Sequence, residues 1–150
     1  MPRAVPHGVI RHDRQLALLI EVLAAGTRPP EWTKAGYLEY SKRLPRDWQL
    51  QVREIPVAHR GKNEPVAKLK QEEGKRMLAL LKPEARVIAL DSGGSNWSTE
   101  DLAGNIQQWM RETSHLQLLV GGPDGLSAEC LARADHCWSL SRLTFPHFVV

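Results

Sequence analysis

The chain has 150 residues and a mass of 16.9 kDa, with 42% hydrophobic residues, 25% charged residues and a formal net charge of +3. That length suits one domain, large enough to bury roughly 68–70% of its unfolded surface, and the composition excludes a collagen, a coiled coil and a disordered chain. No stretch approaches the ~18 uninterrupted apolar residues of a membrane helix, and two cysteines, Cys130 and Cys137, make no disulfide framework and point to a reducing, cytoplasmic setting.

Residues 1–17 differ in character from the rest of the chain. They hold Pro2, Pro6, Gly8, His7, His12, Arg3, Arg11 and Arg14, lack the apolar core of a signal peptide, and are expected to form a disordered extension. Residues 16–25 are an apolar run broken only by Glu21 and closed by Gly26 and Pro29-Pro30, the pattern of a buried strand. Residues 31–44 predict a helix with Trp32, Gly36, Tyr40 and Leu44 along one face, stopped by Pro45. Residues 48–53 alternate apolar and polar, as a half-buried strand does. A basic loop over 56–63 carries His59, Arg60, Gly61 and Lys62. Pro65 then opens a helix running to about Leu81, with Val66, Leu69, Met77, Leu80 and Leu81 toward the core.

Residues 86–90 predict a third strand, and 91–97 a loop. Ser98, Thr99, Glu100 and Asp101 carry the pattern of a helix N-terminus, followed by Leu102, Ile106, Trp109 and Met110 at amphipathic spacing. A fourth strand over 116–120 leads into the glycine-rich segment 121–125, a short helix over 127–134, and a last extended stretch near 139–143. Strands alternating with helices predict an α/β domain with a mostly parallel sheet and helices on both faces, and a ligand crevice beyond the carboxyl ends of the strands.

The segment Gly121-Gly122-Pro123-Asp124-Gly125-Leu126-Ser127 follows a strand and precedes a helix. Its glycines permit a sharp turn and a close approach of ligand to backbone. The spacing matches neither a dinucleotide fingerprint nor a phosphate-binding P-loop, and a tight structural turn accounts for it equally well. Between His59 and Arg76 stand six basic residues and three acids, so this segment carries the equivalent of the whole net charge. It could neutralise phosphates. A solvated helix face with pairs such as Glu72 and Arg76 is the simpler account of the charge alone. Cys130 and Cys137 are too far apart for a C-x-x-C metal site, and no metal site is expected.

Taken together, several of these motifs resemble one family. Gly26-Thr27, Trp32, Gly36-Tyr37-Leu38-Glu39-Tyr40, Arg60-Gly61-Lys62-Asn63, Leu90-Asp91 and Trp97 precede the glycine block; Trp138-Ser139-Leu140-Ser141 and Leu143-Thr144-Phe145-Pro146-His147 come after it. The combination, spanning residues 18–150, is similar to the RlmH type of SPOUT methyltransferase. The resemblance implies an α/β fold with a C-terminal trefoil knot and a homodimer. It also implies methylation of N3 of a pseudouridine in 23S ribosomal RNA of the large subunit or assembled ribosome, with S-adenosylmethionine as cofactor. By position, the cofactor contacts would be Leu90, Gly122, Ser141, Arg142, Leu143, Thr144, Phe145 and Pro146. Arg60 and Lys62 would meet RNA. A non-catalytic RNA- or ribosome-binding fragment of the same fold is the alternative.

The sequence departs from the family at both ends. Residues 1–17 are expected to be an extension, with Leu18 where the family has its initiator methionine. The final helix and tail of the family are expected to be missing, which would leave the knot incomplete. The resemblance therefore assigns no catalytic residue. His147 lies near the site by position, with a structural or capping histidine as the simpler account.

Overall fold

The computed structural model describes residues 17–26, 28–57, 61–143 and 150. Its five strands are β1 (Leu18–Ala25), β2 (Trp48–Ile55), β3 (Arg86–Asn96), β4 (His115–Val120) and β5 (His136–Ser139). They form one sheet in the order β2-β1-β4-β3-β5, every pairing parallel. The connections carry α1 (Glu31–Ser41), α2 (Val66–Leu78), α3 (Thr99–Glu112) and α4 (Ala128–Arg133).

The period of two along a strand sends alternate residues to opposite faces. Leu23, Ala25, Val87, Ala89 and Leu119 face one side, where Met77 of α2 and Cys130 of α4 pack. Leu18, Ile88 and Leu116 face the other, against Trp109 of α3. α1 lies over Val22, Leu50 and Val52 on the α3 side. Connections through α1 and α3 step toward the β2 edge, and those through α2 and α4 step toward β5. Helices on opposite faces give all four crossovers the same hand. The direction of travel reverses between β1 and β4, which makes their carboxyl ends the topological switch point.

Close packing of α2 on α4 needs Gly74. A Cβ there would sit 2.3 Å from Ser127 Oγ, the hydroxyl that caps α4 by accepting from the Cys130 amide at 3.2 Å. The α2 face of the sheet also buries a polar cluster. Gln117 Nε2 donates to Glu21 Oε1 at 2.6 Å and to the Leu80 carbonyl at 3.0 Å, and the Lys82 amide donates to Gln117 Oε1 at 2.9 Å. Arg53 stands 3.6 Å from Glu21 Oε2. A buried carboxylate survives there because its partners replace the water it lost.

Several boundaries differ from the sequence expectation. β3 runs on to Asn96 through the segment expected to be a loop: its register shifts between Leu90 and Ser95, and Ser95 and Asn96 rejoin β5 opposite Trp138 and Ser139. The last strand is His136–Ser139, not 139–143. Asp135 starts the pairing early, because its amide donates to the Val87 carbonyl and its carboxylate accepts from the Val87 amide, each at 2.8 Å. α1 buries none of its residues, and Trp32 and Tyr40 are 58% and 66% exposed. The apolar spacing marked a face, and that face borders a groove over Val22, Leu50 and Val52 instead of being buried against them. Val66, expected in the core, is 51% exposed at the open start of α2. Of the N-terminal extension, all but Ala17 lies outside the described residues.

Candidate cofactor and RNA site

Strand register brings the candidate cofactor segments together. Leu90 pairs with Val120 on one side and with Trp138 on the other. The chain therefore leaves β4 into Gly121-Gly122 and β5 into Leu140-Ser141 at the same level of the sheet, with Leu90 between them. The exits of β4 and β5 are at carboxyl ends, and β3 leaves its pairing with β4 after Leu90 at the same level, where a parallel sheet opens a crevice.

The glycine block is a closed turn. The Gly125 amide donates to the Gly122 carbonyl at 3.0 Å, with Pro123 and Asp124 at the corner and Gly125 at φ +82°. Pro suits the second position of such a turn by its fixed φ, and the positive φ favours glycine. Gly121 is required by contact: a Cβ would lie 2.5 Å from the Gly125 carbonyl carbon and 2.7 Å from the Leu126 nitrogen. Gly122 is buried beneath Glu73 of α2 and Ala25 of β1, at the switch point.

The exit from β5 is knitted by two hydroxyls. Ser139 Oγ donates to the Ser141 carbonyl at 2.8 Å, and Ser141 Oγ accepts from the Leu143 amide at 3.0 Å. Arg142 is exposed and Leu143 is 70% exposed. Beside this exit, Trp138 stacks on Trp97 with ring centroids 5.3 Å apart, and Trp109 Nε1 donates to His136 Nε2 at 3.3 Å. These four aromatic rings hold the carboxyl end of β5 against α3. The backbone of the β3 bulge lies so close to β5 that a Cβ on Gly94 would be 2.7 Å from the Cys137 carbonyl carbon.

Residues 18–150 fit the family model described as "Predicted SPOUT methyltransferase". The chain belongs to the SPOUT methyltransferase family. Curated relatives from Chromohalobacter salexigens, Marinomonas sp. and Methylococcus capsulatus are 50%, 47% and 46% identical over 131 residues, covering 87% of this chain and 84% of each relative. Each of the three is named "Ribosomal RNA large subunit methyltransferase H".

In this SPOUT methyltransferase, Gly122, Ser141, Arg142 and Leu143 lie at the exits of β4 and β5, and Leu90 lies within β3 as its last residue paired with β4. Thr144, Phe145 and Pro146, with His147, lie outside the described residues, as do His59 and Arg60. Lys62 is exposed ahead of α2. Along α2, Lys68 pairs with Glu64 at 3.2 Å, and Arg76 donates to the Pro56 carbonyl at 2.7 Å rather than to Glu72. Part of the basic segment is thus spent on local structure, while Lys62 and Lys75 stay exposed.

Two features escaped the sequence. Glu73 is 4% exposed and sits against the glycine turn, although an acid in a basic segment suggests only a surface charge. A groove of about 960 Å³ opens between α1 and the β1–β2 edge, lined by Trp32, Tyr37, Tyr40, Leu50 and Val52 among others. None of the described cofactor candidates lines it. Among the described residues, no cluster of His, Cys, Asp or Glu could hold a metal ion, and no helix is long and apolar enough to cross a membrane.

Proposed function

We propose that this SPOUT methyltransferase transfers a methyl group from S-adenosylmethionine to N3 of a pseudouridine in 23S ribosomal RNA, acting in the cytoplasm on the large subunit or the assembled ribosome. The observation that carries this reading is the common level of the sheet at which β3 stops pairing with β4 after Leu90 and at which β4 and β5 end, so that Leu90 stands between the segments of Gly122 and Ser141. The names of the relatives support the substrate class.

The residues suit the cofactor. Backbone groups at Gly121 and Gly122, where no side chain intervenes, the apolar Leu90 and the hydroxyl of Ser141 offer neutral contacts of the kind an adenosine group takes. When bound, S-adenosylmethionine supplies a methyl carbon already activated by its sulfonium charge. The chain itself would orient the partners: the glycine turn and the 139–146 segment on the cofactor, Arg60 and Lys62 on RNA phosphates. We further propose a homodimer, for which the exposed apolar side of α1 supplies a surface.

The test is methyl transfer to ribosomes from a strain lacking the mark. Primer extension should stop at the modified pseudouridine only after incubation with the chain and S-adenosylmethionine. Ribosome binding without cofactor binding or transfer would instead identify a non-catalytic ribosome-binding fragment.

A further inference from the structure

We propose that Glu73 is a positioning residue: its buried carboxylate holds the glycine turn in the shape that receives the cofactor. On the inward face of α2 it stands between Leu69 and Met77, four residues from each, and is as buried as they are: 4% exposed, against 4% and 1%. Carboxylates are rarely placed in such a position without a structural or functional demand. Here the carboxylate is engaged rather than idle. It leans on the turn, because a Cβ added to Gly122 would lie 3.3 Å from Glu73 Oε2.

The neighbouring residue grips the other end of the same segment, since Gly74 packs on Ser127 too closely for any side chain. Cys130 Sγ donates to the Gly74 carbonyl at 3.6 Å. Residues 73 and 74 thus hold the turn at Gly122 and the helix cap at Ser127. Ala25 closes the third side, its Cβ 3.7 Å from the same added Cβ. The contact falls at the switch point between β1 and β4. A turn with few side chains has little packing of its own, so its shape must be imposed by its surroundings.

This inference rests on the cofactor reading of Gly122, and the two are separable by experiment. Amide hydrogen exchange over residues 121–127, measured without any ligand in the unsubstituted chain, Glu73→Gln and Glu73→Ala, reads the hold on the turn directly. We expect faster exchange there in Glu73→Ala, unchanged protection in α3 and β4, and partial rescue by Glu73→Gln. Calorimetry with S-adenosylmethionine should show affinity lowered about 5–20-fold in Glu73→Ala, with KM for the cofactor raised and kcat at saturation little changed. Gly122→Ala should cost less affinity in the Glu73→Ala background, where the added methyl has room. Unchanged exchange at 121–127, or loss of protection across the whole domain, overturns the proposal by making Glu73 irrelevant or merely a core residue. If the turn loosens as expected but the unsubstituted chain binds no S-adenosylmethionine, the cofactor reading fails and the assigned role for Glu73 falls with it.

Discussion

Glycine substitutions at single positions should carry opposite signs in this molecule. An alanine at Gly94 would drive its Cβ to 2.7 Å from the backbone of Cys137 and Trp138, where no side chain can yield. Overpacking of that kind costs roughly 1–3 kcal/mol. Gly36, inside α1, has nothing within 4 Å of an added Cβ, so Gly36→Ala should stabilise by about 0.5–1 kcal/mol through helix propensity alone. Urea titrations of the two variants check both signs. The α3 cap makes a pH prediction. The Ser98 amide, then the Ser98 side chain, hold the Asp101 carboxyl below its ordinary 3.8. A depressed folded value stabilises above 3.8 and is lost as pH falls through it. Asp101→Asn should therefore differ from the unsubstituted chain near neutrality and converge with it in acid, as read from urea midpoints across pH. Burial pushes the Cys130 thiol above its ordinary 9.0, so iodoacetamide should label Cys137 first and Cys130 only on unfolding.

At the level of elements, the alternation of strand and helix was legible, because the apolar run of β1, closed by Gly26 and Pro29-Pro30, and the capped start of α3 are strong local signals. β5 was not: His136-Cys137-Trp138-Ser139 has no alternation, and its pairing is set by Asp135 reaching Val87 across the sheet. The exposure of α1 was equally hidden, since spacing defines an apolar stripe without saying what meets it. In the site, the glycine turn was legible as a turn from its three glycines between a strand and a helix, although a structural turn accounts for them as well as a ligand does. Glu73 did not, because its role depends on a contact with Gly122 that lies 49 positions away. The Gln117 cluster belongs to this scale too. Truncation in Gln117→Ala leaves the Leu80 carbonyl and the Lys82 amide without this partner, while Glu21 keeps Arg53 beside it, at roughly 1–3 kcal/mol for each group left unsatisfied. Chemical denaturation should place this variant well below Ser98→Ala, which loses one cap worth about 1 kcal/mol.

For the molecule as a whole, Trp32, Tyr40 and Val52 expose large apolar side chains around one groove at the β2 edge. If this is the dimer surface, replacing both Trp32 and Tyr40 by lysine should shift sedimentation from dimer to monomer while leaving circular dichroism unchanged. A monomeric unsubstituted chain would defeat that assignment. The strand order has a further consequence, for synthesis. β1 is an interior strand, yet the pairing of Glu21 with Gln117 spans 96 positions. A ribosome adding about 5–20 residues per second needs roughly 5–20 s to close that gap. Until then the nascent β1 has only β2 beside it, and its other edge is open. In that interval Glu21 is a solvated charge in the middle of an otherwise apolar strand, the kind of gatekeeper that discourages pairing between neighbouring nascent chains. Gln117 then receives the same carboxylate when β4 arrives, so one side chain guards the strand before folding and anchors the sheet after it.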